Sequence, residues 1–174
     1  MNKLLVVVDY QNDFVDGSLG FPKAAALHDT ICEKILSYRD EGQTIVFTLD
    51  THEPDYKKTQ EGINLPIPHC IRGTSGHELY GHVNDFSLGC EKFEKGTFGS
   101  DLLFAYLQKT TFESVELVGL VSNICVISNA VLAKTAQPEA LIIVDAACTA
   151  SFDQLLNEKT LDILEGLQIK ITNR

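Results

Sequence analysis

The chain has 174 residues, 44% hydrophobic and 22% charged, with a formal net charge of −10. That length suffices for one domain with a full core, and the acidic balance argues against nucleic acid, whose phosphates need a basic face. Five cysteines, none in Cys-x-x-Cys spacing, suit a reducing cytoplasm better than a disulfide scaffold, and no apolar run is long enough for a membrane span or shaped like a signal peptide.

Leu4–Asp9 is an apolar run closed by a carboxylate, fit for a strand buried on both faces. Ala24–Asp40 carries helical spacing at Leu27, Ile31, Ile35 and Tyr38 and stops near Gly42. Thr44–Leu49 reads as the second strand. Asp50 to Leu88 is irregular, with Pro54, Pro66, Pro68 and a Gly-Thr-Ser-Gly run at 73–76. A loop that long in a compact domain is usually functional. Leu88–Phe93 reads as a short strand and Leu102–Lys109 as a helix. Val115–Val121 is a buried strand, followed by the capping types Ser122 and Asn123 and a helix over Ile124–Gln137. Ala140–Ala146 (strand), Leu155–Glu165 (helix) and Leu167–Ile171 (strand) complete the chain. Alternating apolar strands and helices predict a parallel sheet covered on both faces, with ligands outside the carboxyl ends of the strands.

Polar residues gather at those ends: Asp9, Asp50 with His52, Lys95, Cys125, and Asp145 with Cys148. Cys125 falls at the start of a helix, where free N–H groups and the helix dipole favour a thiolate. A small buried core residue is the equal alternative. A cysteine nucleophile needs a base, and Asp9, in a dry setting that raises its pKa, is the candidate; capping of the turn at Asn12 or Asp13 is the plainer role. Lys95 would hold the thiolate, or else be a solvated surface lysine. The N–H groups of Val121 and Cys125 would meet the oxyanion.

Asp50-x-His52, with His69 farther along and Glu61 between them as an optional fourth ligand, suits one divalent metal ion, zinc first, with manganese or iron(II) as alternatives. Phe14 is either the wall for a flat substrate or a core aromatic. His28, His77 and His82 read as surface residues. Cys32, Cys90 and Cys148 read as buried filler.

These pieces resemble the isochorismatase-like cysteine hydrolases. The opening motif is Asp9-Tyr-Gln-Asn-Asp-Phe14, with Gly17-Ser18-Leu19 after it. Asp50-Thr-His52 and Pro68-His69-Cys70-Ile71 are similar to the metal loop of the nicotinamidase branch. Lys95 with Thr97-Phe98 matches the lysine motif, and Gly119-Leu-Val-Ser-Asn-Ile-Cys125-Val the nucleophile motif. The resemblance implies a single domain over residues 1–174. Its fold would be a three-layer α/β/α sandwich around a six-stranded parallel sheet of order 3-2-1-4-5-6. It also implies a triad of Asp9, Lys95 and Cys125 and a cis bond at Leu120–Val121 that aims the Val121 N–H into the oxyanion hole. The implied activity is ammonia release from a small aromatic carboxamide such as nicotinamide, through a thioester on Cys125, by a homo-oligomer. Pro66 stands where nicotinamidases often carry tryptophan, so the ring wall is altered. The alternatives are a related amide or carbamoyl hydrolase on a non-pyridine substrate, and a metal- or ligand-binding protein without turnover.

Overall fold

A computed structural model describes residues 2–174. Its centre is β1 (Lys3–Val8), which pairs in parallel with β2 (Thr44–Asp50) on one side and β4 (Ser114–Leu120) on the other. With β3 (Glu91–Lys95), β5 (Leu141–Ala150) and β6 (Lys170–Thr172), the sheet runs β3-β2-β1-β4-β5-β6, all parallel. This is the order the resemblance implies. Successive residues of a strand face opposite ways. Leu5 and Val7 therefore enter one core and Leu4, Val6 and Val8 the other.

Helices cover each face. On the first lie α1 (Asn12–Val15), α2 (Pro22–Ala26), α3 (His28–Asp40) and, farther along the chain, α5 (Gly81–Phe86). Their Ile31, Ile35 and Val83 pack on Leu5, Val7 and Phe47. The second face carries α6 (Asp101–Lys109), α7 (Ile127–Ala136) and α8 (Gln154–Gly166), whose Leu103, Ala130 and Leu161 join Val6 and Leu117. The intervening α4 (Gln60–Asn64) belongs to the long segment after β2. No helix among the described residues is long and apolar enough to cross a membrane.

Several boundaries differ from the sequence reading, each for a local reason. The helix expected over 24–40 is broken at Leu27, whose N–H turns back to the Ala24 carbonyl. The segment 50–88 is not structureless: it holds α4, α5 and two single turns at Tyr56–Lys58 and Ser75–His77. The third strand starts at Glu91 rather than Leu88, because Gly89 turns the chain with φ +79°. Lys95 is consequently its last residue. The fifth strand continues to Ala150 through a register shift opposite Leu117–Gly119. Asp145 and Cys148 are thus interior to the strand, and the Asp145 carboxylate is used by Lys34 at 2.7 Å and Asn173 at 3.0 Å. They do not belong to the site edge.

Gly119 is required where it stands. Its φ is +112°, and a methyl group there would collide with the Val8 backbone carbonyl of β1. Gly119→Ala must therefore both strain its own backbone and push apart the two central strands. Its expected cost is on the order of 4 kcal/mol or more, measured by chemical denaturation.

Candidate active site

β1 and β4 are neighbours whose following connections leave toward opposite faces, which opens a crevice at their carboxyl ends. Asp9 is the first residue past β1. Its φ of +46° turns the chain sharply, and its own carbonyl takes the Gln11 N–H at 2.8 Å. The carboxylate is fully buried. Oδ1 accepts from the Thr48 hydroxyl at 2.6 Å, and Oδ2 lies 2.6 Å from Lys95 Nζ. That second contact is an ion pair in poor hydrogen-bond alignment, which leaves Oδ2 without a well-directed donor. No hydrogen bond runs from this carboxylate to the Asn12 or Asp13 turn.

Lys95 is 3% exposed, not a solvated surface residue. Its ammonium reaches Asp9 Oδ2, the Thr97 carbonyl at 2.9 Å, Asp50 Oδ1 at 3.3 Å and Cys125 Sγ at 3.7 Å. Burial alone would lower its pKa, but Asp9, Cys125 and Asp50 outweigh burial and raise it.

Cys125 sits in a widened turn, Ser122–Val126, ahead of α7. The Val121 carbonyl takes both the Ile124 N–H (3.1 Å) and the Val126 N–H (3.2 Å), so the turn is one residue wider than an α-helix. The peptide bond at Leu120–Val121 is cis. Ser122 and Asn123 do not cap: Ser122 Oγ and Asn123 Oδ1 are buried without a partner. The helix-end argument for a resting thiolate also fails. Burial and the Asp9 carboxylate hold the Cys125 thiol well above its ordinary pKa, against the pull of Lys95. Burial likewise raises Asp9, more than Lys95 lowers it. The resting site therefore pairs a protonated sulfur with a carboxylate of increased basicity.

The second cluster adjoins the first. Asp50, His52, Glu61 and His69 bring their donor atoms within 4.8 Å of one another. Asp50 Oδ2 lies 3.0 Å from His52 Nε2 and 3.3 Å from His69 Nε2, and Glu61 Oε1 lies 3.7 and 3.6 Å from the same nitrogens. α4 carries Glu61 into this group. The cluster fits a divalent cation on two observations. His52 Nε2 is buried without a well-directed hydrogen bond, although ligand-type atoms of Asp50, Glu61 and His69 surround it. His69 Nδ1 is engaged by the Ile67 carbonyl at 2.9 Å, which aims its other nitrogen at the carboxylates. Burial opposes protonation of His69, yet Asp50 and Glu61 hold it up to about 10, so a proton competes with a cation there. The Tyr56 ring packs on both imidazoles, at 4.6 and 5.0 Å between centroids.

A cavity of about 400 Å³ opens over both clusters. Cys125, Asp50, Glu61 and His69 lie on its floor, and Phe14, Phe98 and Phe152 form aromatic walls. Phe14 is buried and also packs, tilted, against His69 at 5.4 Å between ring centroids, so wall and core roles coincide. Pro66 is exposed and does not line the cavity; Leu65 does.

Three contributors escaped the sequence reading. Asn129 donates to the Cys125 carbonyl (2.8 Å) and the Phe98 carbonyl (3.1 Å) and accepts from the Ser100 N–H (3.0 Å), tying the sulfur turn to the segment after Lys95. The signal was a lone asparagine four residues after Cys125 in an apolar helix. Thr48 and Gln11 are the others. His77, read as a surface residue, is half-buried and bonds Thr51 Oγ1 at 2.8 Å. His28 is half-buried too, with its Nε2 3.6 Å from Cys32 Sγ, while His82 is exposed. Cys32 and Cys148 are buried, but Cys90 is only half-buried.

The chain is similar to an uncharacterized isochorismatase family protein PncA of Bacillus subtilis (strain 168), 30% identical over 167 residues, spanning 88% of this chain and 89% of that one. The nicotinamidase of Saccharomyces cerevisiae is 24% identical over 216 residues, spanning 99% and 100%. The crystal structure of pyrazinamidase/nicotinamidase from Streptococcus mutans UA159 superposes with a TM-score of 0.87 at 29% identity, covering 98% of this chain and 100% of that one. Residues 3–171 match the isochorismatase domain, and the chain belongs to the isochorismatase family.

Proposed function

We propose that this chain is an amidohydrolase of the nicotinamidase type, releasing ammonia from a small aromatic carboxamide through a thioester on Cys125. The observation that carries this is the position of Lys95 Nζ, 2.6 Å from Asp9 Oδ2 and 3.7 Å from Cys125 Sγ, under an apolar cavity. Relatives named nicotinamidase support the amide as substrate.

Asp9 takes the Cys125 proton, and the sulfur attacks the carboxamide carbon. The Val121 and Cys125 N–H groups hold the developing oxyanion. Asp9 returns the proton to the departing nitrogen, and ammonia leaves a thioester behind. Water then gives a proton to Asp9 and its oxygen to the acyl carbon; the acid departs and the sulfur regains the proton. Lys95 stays charged throughout and steadies each anionic stage. Asp50, His52 and His69, with Glu61, would hold a divalent metal ion. When bound, that ion supplies a Lewis-acid anchor for a ring nitrogen of the substrate and so orients its carboxamide. The nitrogen and oxygen donors favour zinc, with manganese or iron(II) as alternatives.

Asp50→Ala and His52→Ala should each reduce bound metal to a small fraction of the parent's, read by elemental analysis of the purified chains; full metal content in both would refute this cluster as the metal site. The function itself is tested by ammonia release across nicotinamide, pyrazinamide and aliphatic amides, with and without chelator. Turnover of the aromatic carboxamides that chelator suppresses is expected. Preference for an aliphatic amide or carbamoyl compound would favour the second reading, which the exposed Pro66 and the Leu65–Phe98–Phe152 wall make the main alternative.

A further inference from the structure

Asp50 is the one side chain shared by the two clusters, with Oδ1 toward the Lys95 ammonium at 3.3 Å and Oδ2 toward His52 and His69 at 3.0 and 3.3 Å. A small rotation of this carboxylate would spoil both at once. Its main chain is held by one side chain, Gln11. Gln11 Oε1 accepts the Asp50 N–H at 2.8 Å, and Gln11 Nε2 donates to the Asp50 carbonyl at 2.8 Å and to the His77 carbonyl at 2.8 Å. The side chain is fully buried. Only a carboxamide can serve an N–H and two carbonyls together, so its orientation is fixed by these partners. Its own backbone is held on both sides, by the Asp9 carbonyl at 2.8 Å and by a bridge to Leu79.

We infer that Gln11 is the positioning residue that locks Asp50 between the cation cluster and Lys95, so that the triad and the metal site keep one register. This rests on the reading of Asp50, His52 and His69 as metal ligands. Gln11 stands two residues past Asp9, so a single short turn supplies both the base and the clamp on the shared carboxylate. Outer partners of metal ligands commonly set affinity by about 10- to 100-fold.

The test is zinc affinity, measured by chelator competition at a temperature where the metal-free chains are folded by circular dichroism. Gln11→Met keeps the side-chain length and loses all three hydrogen bonds. Gln11→Glu keeps the acceptor for the Asp50 N–H and loses both donors, and it serves if the methionine variant melts too early. Asp50→Ala is the control. We expect either Gln11 variant to bind zinc about 10- to 100-fold more weakly than the parent, with Asp50→Ala weaker still. A purely structural Gln11 would lower the melting temperature and leave zinc affinity intact. That result, with affinity lost in Asp50→Ala, would overturn the role of Gln11 alone. Parental affinity in Asp50→Ala would instead overturn the metal cluster itself, and the role of Gln11 with it.

Discussion

Cys125→Ala is expected to lower ammonia release from nicotinamide by about a thousandfold or more while leaving the fold unchanged. Among the described residues that line the cavity, Cys125 carries the one thiol or hydroxyl, and it lies 3.7 Å from Lys95, so its removal takes away the group that would form an acyl intermediate. The side chain is 5% exposed and the change removes one atom, so the cost to stability is small beside the cost to chemistry. Cys125→Ser is nearly as inactive, because the hydroxyl is a far weaker acid than the thiol and Asp9 is a carboxylate base. Coupled ammonia detection gives the rate, and far-ultraviolet circular dichroism checks the fold. Parental turnover in Cys125→Ala would remove the covalent route.

Lys95→Met has the largest combined effect on stability and activity. The ammonium is buried between Asp9 and Asp50, and nothing else cationic reaches Asp9 among the described residues. Removing one member of a buried ion pair typically costs about 3–5 kcal/mol, because the partner charge is left desolvated. For a chain of this size that is a fall in Tm on the order of 10 °C. Activity falls with it, since the carboxyl of Asp9, already raised by burial, rises further without Lys95 and is protonated when it should act as a base. A carboxyl whose folded pKa is raised contributes stability at low pH that is lost as pH rises through that pKa. The deficit of Lys95→Met relative to the parent should therefore shrink in acid. Adding Asp9→Asn should recover part of the lost Tm and none of the activity. A Lys95→Met chain as stable and as active as the parent would show that the ammonium is not needed.

The central strands were legible because they are buried on both faces and so read as largely apolar runs: Leu4–Val8 is apolar throughout, and Val115–Leu120 is apolar except for Glu116, whose carboxylate is met by Lys34 and Tyr38. Asp9 was legible for a related reason, as a charge at the end of such a run, whereas Lys95 ends the largely charged edge strand Glu91–Lys95 and was legible from its place after that strand and from the motif it forms with Thr97 and Phe98. What the sequence could not convey were the effects of burial on polar groups. Cys125 reads as an activated thiolate from its place before a helix, yet burial beside a carboxylate raises its pKa and so favours the thiol. Ser122 and Asn123 are capping types, yet in the widened turn their side-chain oxygens are buried without a hydrogen-bond partner. Gln11 and Asn129 look like ordinary polar residues because their partners are backbone atoms of segments 39 and 4 residues distant or more. A one-dimensional pattern records side-chain types, not which main-chain groups they will meet.

If carboxylate, ammonium and sulfur act as one unit, Cys125 is acylated during turnover. The most direct measurement is intact-protein mass spectrometry of the chain mixed with nicotinamide and quenched in acid within the first turnovers. A mass gain equal to the substrate less ammonia is expected, carried by the peptide that contains Cys125 and absent from Asp9→Asn. Rapid ammonia release with no such adduct at any quench time, and none in Cys125→Ala despite undiminished turnover, would contradict it.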